Sequence, residues 1–149
     1  MPIGSQTENP AAFAAIPLTV TAKQIANLMI SFIESGDPVT RGWCEGVYLE
    51  TSGSARIDRH NVWYGETALW AADDWMIRVL EDEDETGDPD QCKAHLISKK
   101  EFIAGLTALA TAENGAYSKH FNDIISENDD AATADILMQF ILFGKEVYA

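Results

Sequence analysis

Apolar residues recur between positions 21 and 35 at the spacing of a single helix face. Ile25, Leu28, Met29, Phe32 and Ile33 fall at i, i+3, i+4, i+7 and i+8, the stripe by which an amphipathic helix meets a core. Thr21 stands at the N-cap, Gln24 completes a capping box, and Ser35-Gly36-Asp37-Pro38 ends the segment. A period of two governs the stretch from Trp75 to Leu80, where Trp75, Ile77 and Val79 share one face of a strand. Lys93 to Ile97 has the composition of its hairpin partner. Ser98 and Glu101 make a second capping box for a helix carrying Phe102, Ile103, Leu106, Leu109 and Ala110, expected to end near Asn114-Gly115. A shorter helix is expected around His120 to Ser126, with Phe121, Ile124 and Ile125 inward. Residues 131–143, capped by Asp129 or Asp130, are apolar almost all round, with Asp135 and Gln139 as one narrow wet stripe. Such a helix belongs at the centre of a domain or under a partner, and the central position is predicted. Gly144 is placed to be its C′ residue, and Glu146-Val147-Tyr148 is predicted to add a terminal strand.

Between these segments the pattern blurs. Trp43, Val47 and Leu49 suggest a strand, although a helical spacing also fits, and Thr51-Ser52-Gly53-Ser54 reads as a turn. Val62, Trp63 and Tyr64, within residues 61–70, are residue types that prefer a sheet. Trp43, Trp63, Trp70, Trp75, Tyr48 and Tyr64 are expected to form the core of a small sheet rather than a ligand groove. Trp63 and Trp70, beside polar residues, are the expected exposed exceptions. Residues 1–17, with three prolines, read as a flexible arm, and residues 18–149 as a single domain. The fold class is α+β: a small antiparallel sheet packed against about three to four helices, one face covered by helices at 21–35, 98–113 and 131–143.

Charge changes the picture more than composition does. The 149 residues carry a formal net charge of −14, which excludes direct nucleic-acid binding by charge. Residues 1–75 hold nine acids and four bases, and residues 76–149 hold fifteen acids and six bases. The density peaks at Glu81, Asp82, Glu83, Asp84, Glu85, Asp88 and Asp90, seven carboxylates in ten residues with no base among them. Self-repulsion of that order asks for a reason: solubility, as a solvated charged hairpin tip, a cation, or a basic partner. The opening residues lack the basic start and apolar core of a signal peptide, and no apolar run approaches the roughly 20 residues that span a bilayer. A cytoplasmic location and no membrane partner are therefore expected. Cys44 and Cys92 show no metal-ligand spacing and read as two buried thiols, with a disulfide between them as the alternative.

Asp82, Asp84, Thr86, Gly87, Asp88 and Asp90 occupy positions 1, 3, 5, 6, 7 and 9 of a calcium loop of the EF-hand kind, but position 12 is Lys93. That substitution, with strand-like flanks, rejects an EF-hand. A looser Ca²⁺ or Mg²⁺ site on Asp82, Asp84, Asp88 and Asp90 is the alternative to the expected absence of metal and cofactor. His60, His95 and His120 are scattered. His60, in Asp58-Arg59-His60-Asn61, is the most loop-like of them, but no nucleophile elbow or phosphate loop accompanies it. No catalytic residue is assigned.

The closing run Asp129-Asp130-Ala131-Ala132-Thr133-Ala134-Asp135, then Gln139, then Leu142-Phe143-Gly144-Lys145-Glu146-Val147-Tyr148, resembles the end of small uncharacterised proteins of phages and prophages. Those end in an Ala-Asp, Gln, Leu-Phe-Gly, Glu and Val-Tyr-Gly pattern after a hairpin and a helix. Here Ala149 replaces the closing Gly, and Lys145 interrupts the Gly-Glu step. The resemblance implies a mobile-element origin and an α+β fold, and brings no activity or site with it. With the charge, it makes the expected function that of a non-enzymatic phage or prophage protein in the host cytoplasm. Its carboxylates would occupy a basic, nucleic-acid-binding site on a host protein, as a DNA mimic directed at restriction or CRISPR defence. A monomer is expected. The alternatives are a cation-binding domain or a purely structural one that dimerises through its last helix, and an enzyme with a loop-assembled site around His60.

Overall fold

The computed structural model describes residues 20–34, 42–58, 60–112, 118–125 and 131–148. The arm at 1–17, the stop at 35–38, the helix end at Asn114-Gly115 and the caps at Asp129 and Asp130 lie outside the described residues. The elements run α1 (Ala22–Glu34), β1 (Cys44–Thr51), α2 (Thr67–Ala71), β2 (Met76–Glu81), β3 (Lys93–Ser98), α3 (Lys99–Ala110), α4 (Ser118–Ile125) and α5 (Ala131–Phe143). The sheet is antiparallel in the order β1-β2-β3, so the fold is α+β.

The first capping box forms as its sequence dictates. The Gln24 amide N–H donates to Thr21 Oγ1 at 3.1 Å, and the Thr21 N–H donates to Gln24 Oε1 at 2.9 Å, satisfying two N–H groups that the helix cannot. At the start of α3 the pattern is different. Ser98 holds the N-cap position without a side-chain bond to the backbone, its hydroxyl going to the Glu101 carboxylate instead. Gly144 takes φ +73° and its N–H bonds the Phe140 carbonyl at 2.9 Å, closing α5 in the left-handed conformation that glycine adopts most readily.

In the sheet, Ile77 stands between Leu49 and Ile97, and Val79 between Val47 and His95. This face joins Ile25, Leu28, Phe32, Phe102, Leu106 and Leu137 in one hydrophobic core. Helix α5 packs on α1, α3 and α4, and its Leu137, Met138, Phe140 and Ile141 are buried, so it is covered by three helices. Gly105 makes the close approach of α3 to α5 feasible. A Cβ there would lie 2.3 Å from Ile141 Cγ1 and 2.6 Å from Ile141 Cα.

Four expectations are corrected. Trp63–Gly65 is a 3-10 turn and Thr67–Ala71 a short helix, not strand. Here the Trp70 indole N–H reaches back to the Tyr64 carbonyl at 2.8 Å, so tertiary burial of aromatics overrides their sheet preference. Trp70 is accordingly buried rather than exposed, while Trp63 is half-buried. Residues 146–148 form no strand, because side chains take up their backbone groups, as described below. Gln139 is 0% exposed and Asp135 half-buried, so the polar positions of α5 face the protein more than water and form no wet stripe.

Candidate functional site

The acidic run divides into an inner and an outer set. Alternation along β2 carries from Ile77 and Val79 to Glu81, and the Glu81 side chain follows it inward to 4% exposure. Asp82, the next residue, is 3% exposed. Its Oδ1 accepts the Thr86 N–H at 2.8 Å and the Thr86 hydroxyl at 3.1 Å, while Oδ2 accepts the Gly87 N–H at 2.7 Å. These donors, the Gly87 and Thr86 amides first, hold the Asp82 carboxyl below the usual carboxylate range. Asp88 closes the loop further, accepting the Asp90 N–H at 3.0 Å at the head of the 3-10 turn Pro89–Gln91. Glu83, Asp84, Glu85 and Asp90 are left exposed, and Asp88 partly so. Among the described residues none of these five is paired with a base. Glu81 and Asp82 are therefore turned away from solvent, and Asp82 holds the loop whose outer carboxylates face it.

The same geometry bears on the cation reading. Both Asp82 oxygens are engaged by the loop's own backbone, and Asp88 caps its own turn. Among the described residues no group of three or more His, Cys, Asp or Glu side chains is placed to hold a metal ion.

Glu81 opens a second cluster that sequence reasoning missed. Its Oε1 lies 2.8 Å from His95 Nε2, a diagonal cross-strand contact from β2 to β3. Its Oε2 accepts the Tyr148 hydroxyl at 2.5 Å. The Tyr148 ring stacks on Trp43 with centroids 5.5 Å apart and planes at 3°, and packs against Phe143 at 6.0 Å. Burial first, then the bond to Glu81, pushes the Tyr148 phenol well above its ordinary value. Gln139 supplies the backbone contacts of this segment. Its Oε1 accepts the N–H groups of Val147 and Tyr148, each at 2.8 Å, and its Nε2 donates to the Tyr148 carbonyl at 3.1 Å and to Asp135 Oδ1 at 3.3 Å. Asp135 Oδ1 also accepts the Trp43 indole N–H at 2.7 Å. The available signal was the unbroken period of two ending on Glu81, together with the i, i+4 pair Asp135 and Gln139.

No known protein family, curated protein or solved structure matches the chain.

The remaining candidates are held apart. His60 is exposed on its loop, with Nε2 2.8 Å from Glu66 Oε1 and Nδ1 accepting the Val62 N–H at 3.1 Å. Both ring nitrogens are thereby engaged in local structure. His120 meets Thr133 at 2.9 Å, so the three histidines have three different partners. Cys44 and Cys92 are not joined in a disulfide, Cys44 being buried and Cys92 half-buried. Burial and the neighbouring carboxylates push the Cys92 thiol up, away from a reactive thiolate. Trp43 and Trp75 are core, as expected, and Trp70 joins them there against expectation. A shallow surface groove of about 570 Å³ runs beside β1 between Tyr48, His60, Trp63, Tyr64 and Arg78. Among the described residues no helix is long and apolar enough to cross a membrane.

Proposed function

We propose that the chain is a non-enzymatic binding protein whose outer carboxylates, Glu83, Asp84, Glu85, Asp88 and Asp90, occupy a basic, nucleic-acid-binding site on another protein. The observation that carries this reading is the division of the acidic run. Asp82 turns inward to bind the backbone of its own loop, so the outer carboxylates stand on an ordered support without neutralising partners among the described residues. A site built to attract phosphates attracts carboxylates displayed in the same density, and an ordered loop gives up less entropy on docking than a free acidic tail. The finer reading is a phage or prophage protein acting on host restriction or CRISPR machinery. It is supported by the resemblance of residues 129–148 and by the net charge of −14.

The test compares the wild-type chain with one carrying Glu83→Gln, Asp84→Asn, Glu85→Gln and Asp90→Asn. The partner is a basic DNA-binding protein captured from host extract, and duplex DNA is the competitor. Wild-type protein displaces the DNA, and its association rate falls steeply with salt. The neutralised chain keeps its stability and loses most of that rate. Equal rates and equal affinities for the two chains at low salt would show that the loop only solubilises.

A further inference from the structure

The segment after α5 is held in the manner of a bound peptide. Residues 144–148 form neither helix nor strand, and the Gln139 side chain takes the place of a strand neighbour. Its amide, 0% exposed, makes three bonds to the backbone of Val147 and Tyr148. The Tyr148 ring lies in an aromatic slot between Trp43 and Phe143, and its hydroxyl ends on the buried Glu81 carboxylate. The Val147 side chain is 49% exposed, so what the slot reads is one tyrosine and the backbone around it.

The walls of the slot are tied to one another without the segment. Trp43 is bonded to Asp135, Gln139 to Asp135, and Glu81 to His95, joining the head of β1, the ends of β2 and β3, and α5. A recognition site whose walls are fixed beforehand costs little ordering on binding. The segment itself joins α5 through Gly144, and residues 144–147 are exposed. The contacts of Val147 and Tyr148 do not depend on which chain supplies the segment. Attachment to its own α5 only raises its local concentration.

We propose that the slot formed by Trp43, Glu81, Gln139 and Phe143 is a recognition site for an extended tyrosine-bearing peptide, and that its occupant from outside is the 144–148 segment of a second copy of this chain. That segment is the ligand whose fit the structure displays. Exchange of the two segments leaves the contacts of Val147 and Tyr148 intact and yields a closed pair of chains at high protein concentration.

The experiment uses the full-length Tyr148→Ala chain, whose slot is vacated, and a capped peptide with the sequence of residues 144–149. Saturable binding, read on the Trp43 indole N–H resonance, is expected. The peptide with Phe for Tyr binds at least about tenfold more weakly, because the hydrogen bond to a charged acceptor is lost. The peptide with Ala for Tyr does not bind. A folded Tyr148→Ala chain that ignores the tyrosine peptide would overturn the proposal. Hydrogen exchange on the wild-type chain tests it independently of how well that variant folds. The Val147 and Tyr148 amides should exchange through local opening, well ahead of Ile77 and Val79 in β2. Exchange of all four at one rate would mean that the segment never leaves the slot, and would equally overturn it. In sedimentation, a wild-type dimer should grow in with concentration toward roughly millimolar, the effective concentration of a short tether. A chain monomeric throughout that range would remove the second copy as occupant.

Discussion

Replacing Gln139 with Leu tests whether a single side chain seats the closing segment. The two residues are close in volume, so the change leaves little cavity and acts through hydrogen bonding. Three bonds to the backbone of Val147 and Tyr148 are lost, at 2.8, 2.8 and 3.1 Å, each contributing about 1 kcal/mol net. The loss has a ceiling. Once it exceeds what the seated segment contributes, residues 146–148 detach and their backbone returns to water. That contribution is the ring stack on Trp43, roughly 0.5–1.5 kcal/mol, and the phenol bond to the Glu81 carboxylate, about 1.5–3 kcal/mol. Gln139→Leu should therefore destabilise the protein by about 2–4 kcal/mol, read as a lower urea midpoint with nearly the same slope. Once the segment is detached, Tyr148→Ala in the Gln139→Leu background should add little, giving a coupling of roughly 1–3 kcal/mol in the double-mutant cycle. A loss below about 0.5 kcal/mol, within the range of ordinary surface substitutions, would refute the reasoning, and so would additivity of the two changes.

Gly105→Ala sets helix propensity, which favours Ala by roughly 0.5–1 kcal/mol, against a Cβ 2.6 Å from the Ile141 backbone. Because backbone cannot rotate away, a net loss of about 1–3 kcal/mol is expected, and a raised melting temperature would contradict the packing described. The stability profile with pH should fall at both ends. Raised above its ordinary 10.0 in the folded chain, Tyr148 contributes stability that is complete below about pH 10 and lost as pH climbs through the folded value, so Tyr148→Phe should flatten the alkaline limb. Asp82, held low by the Gly87 and Thr86 amides, contributes stability present above about pH 4 and lost as pH falls through its folded value. Asp82→Asn should flatten the acid limb, and urea midpoints unchanged by either substitution across pH would refute the assigned causes.

What was legible in the chain was whatever neighbouring residues decide among themselves. Thr21 and Gln24 cap α1 because donor and acceptor lie three residues apart, and the alternation of Ile77 and Val79 sets the face of β2 whatever lies opposite. Gly144 ends α5 because its backbone tolerates a positive φ. The α+β class follows from the helical and strand periods present along one chain. Tertiary contacts overrode the local signal at residues 61–70, where aromatics with sheet preference were bent into a turn and a short helix around buried Trp70.

The candidate site was legible only in outline. A run of carboxylates is visible in sequence, but not which of them turn inward. Glu81 and Asp82 look like Glu83 and Asp84 until His95, Tyr148 and the Thr86 and Gly87 amides are placed around them. Tyr148 and Glu81 are 67 positions apart, and Trp43 and Asp135 are 92 apart. No periodicity reports a bond over such a separation. By itself the sequence determined the helices α1, α3, α4 and α5, the strands β2 and β3, the charge and the chain's inventory of carboxylates, since these depend on local backbone preference and composition. The tertiary structure alone decided which polar groups are buried and with whom, because a buried carboxylate or amide is stable only where distant parts of the chain bring it a partner.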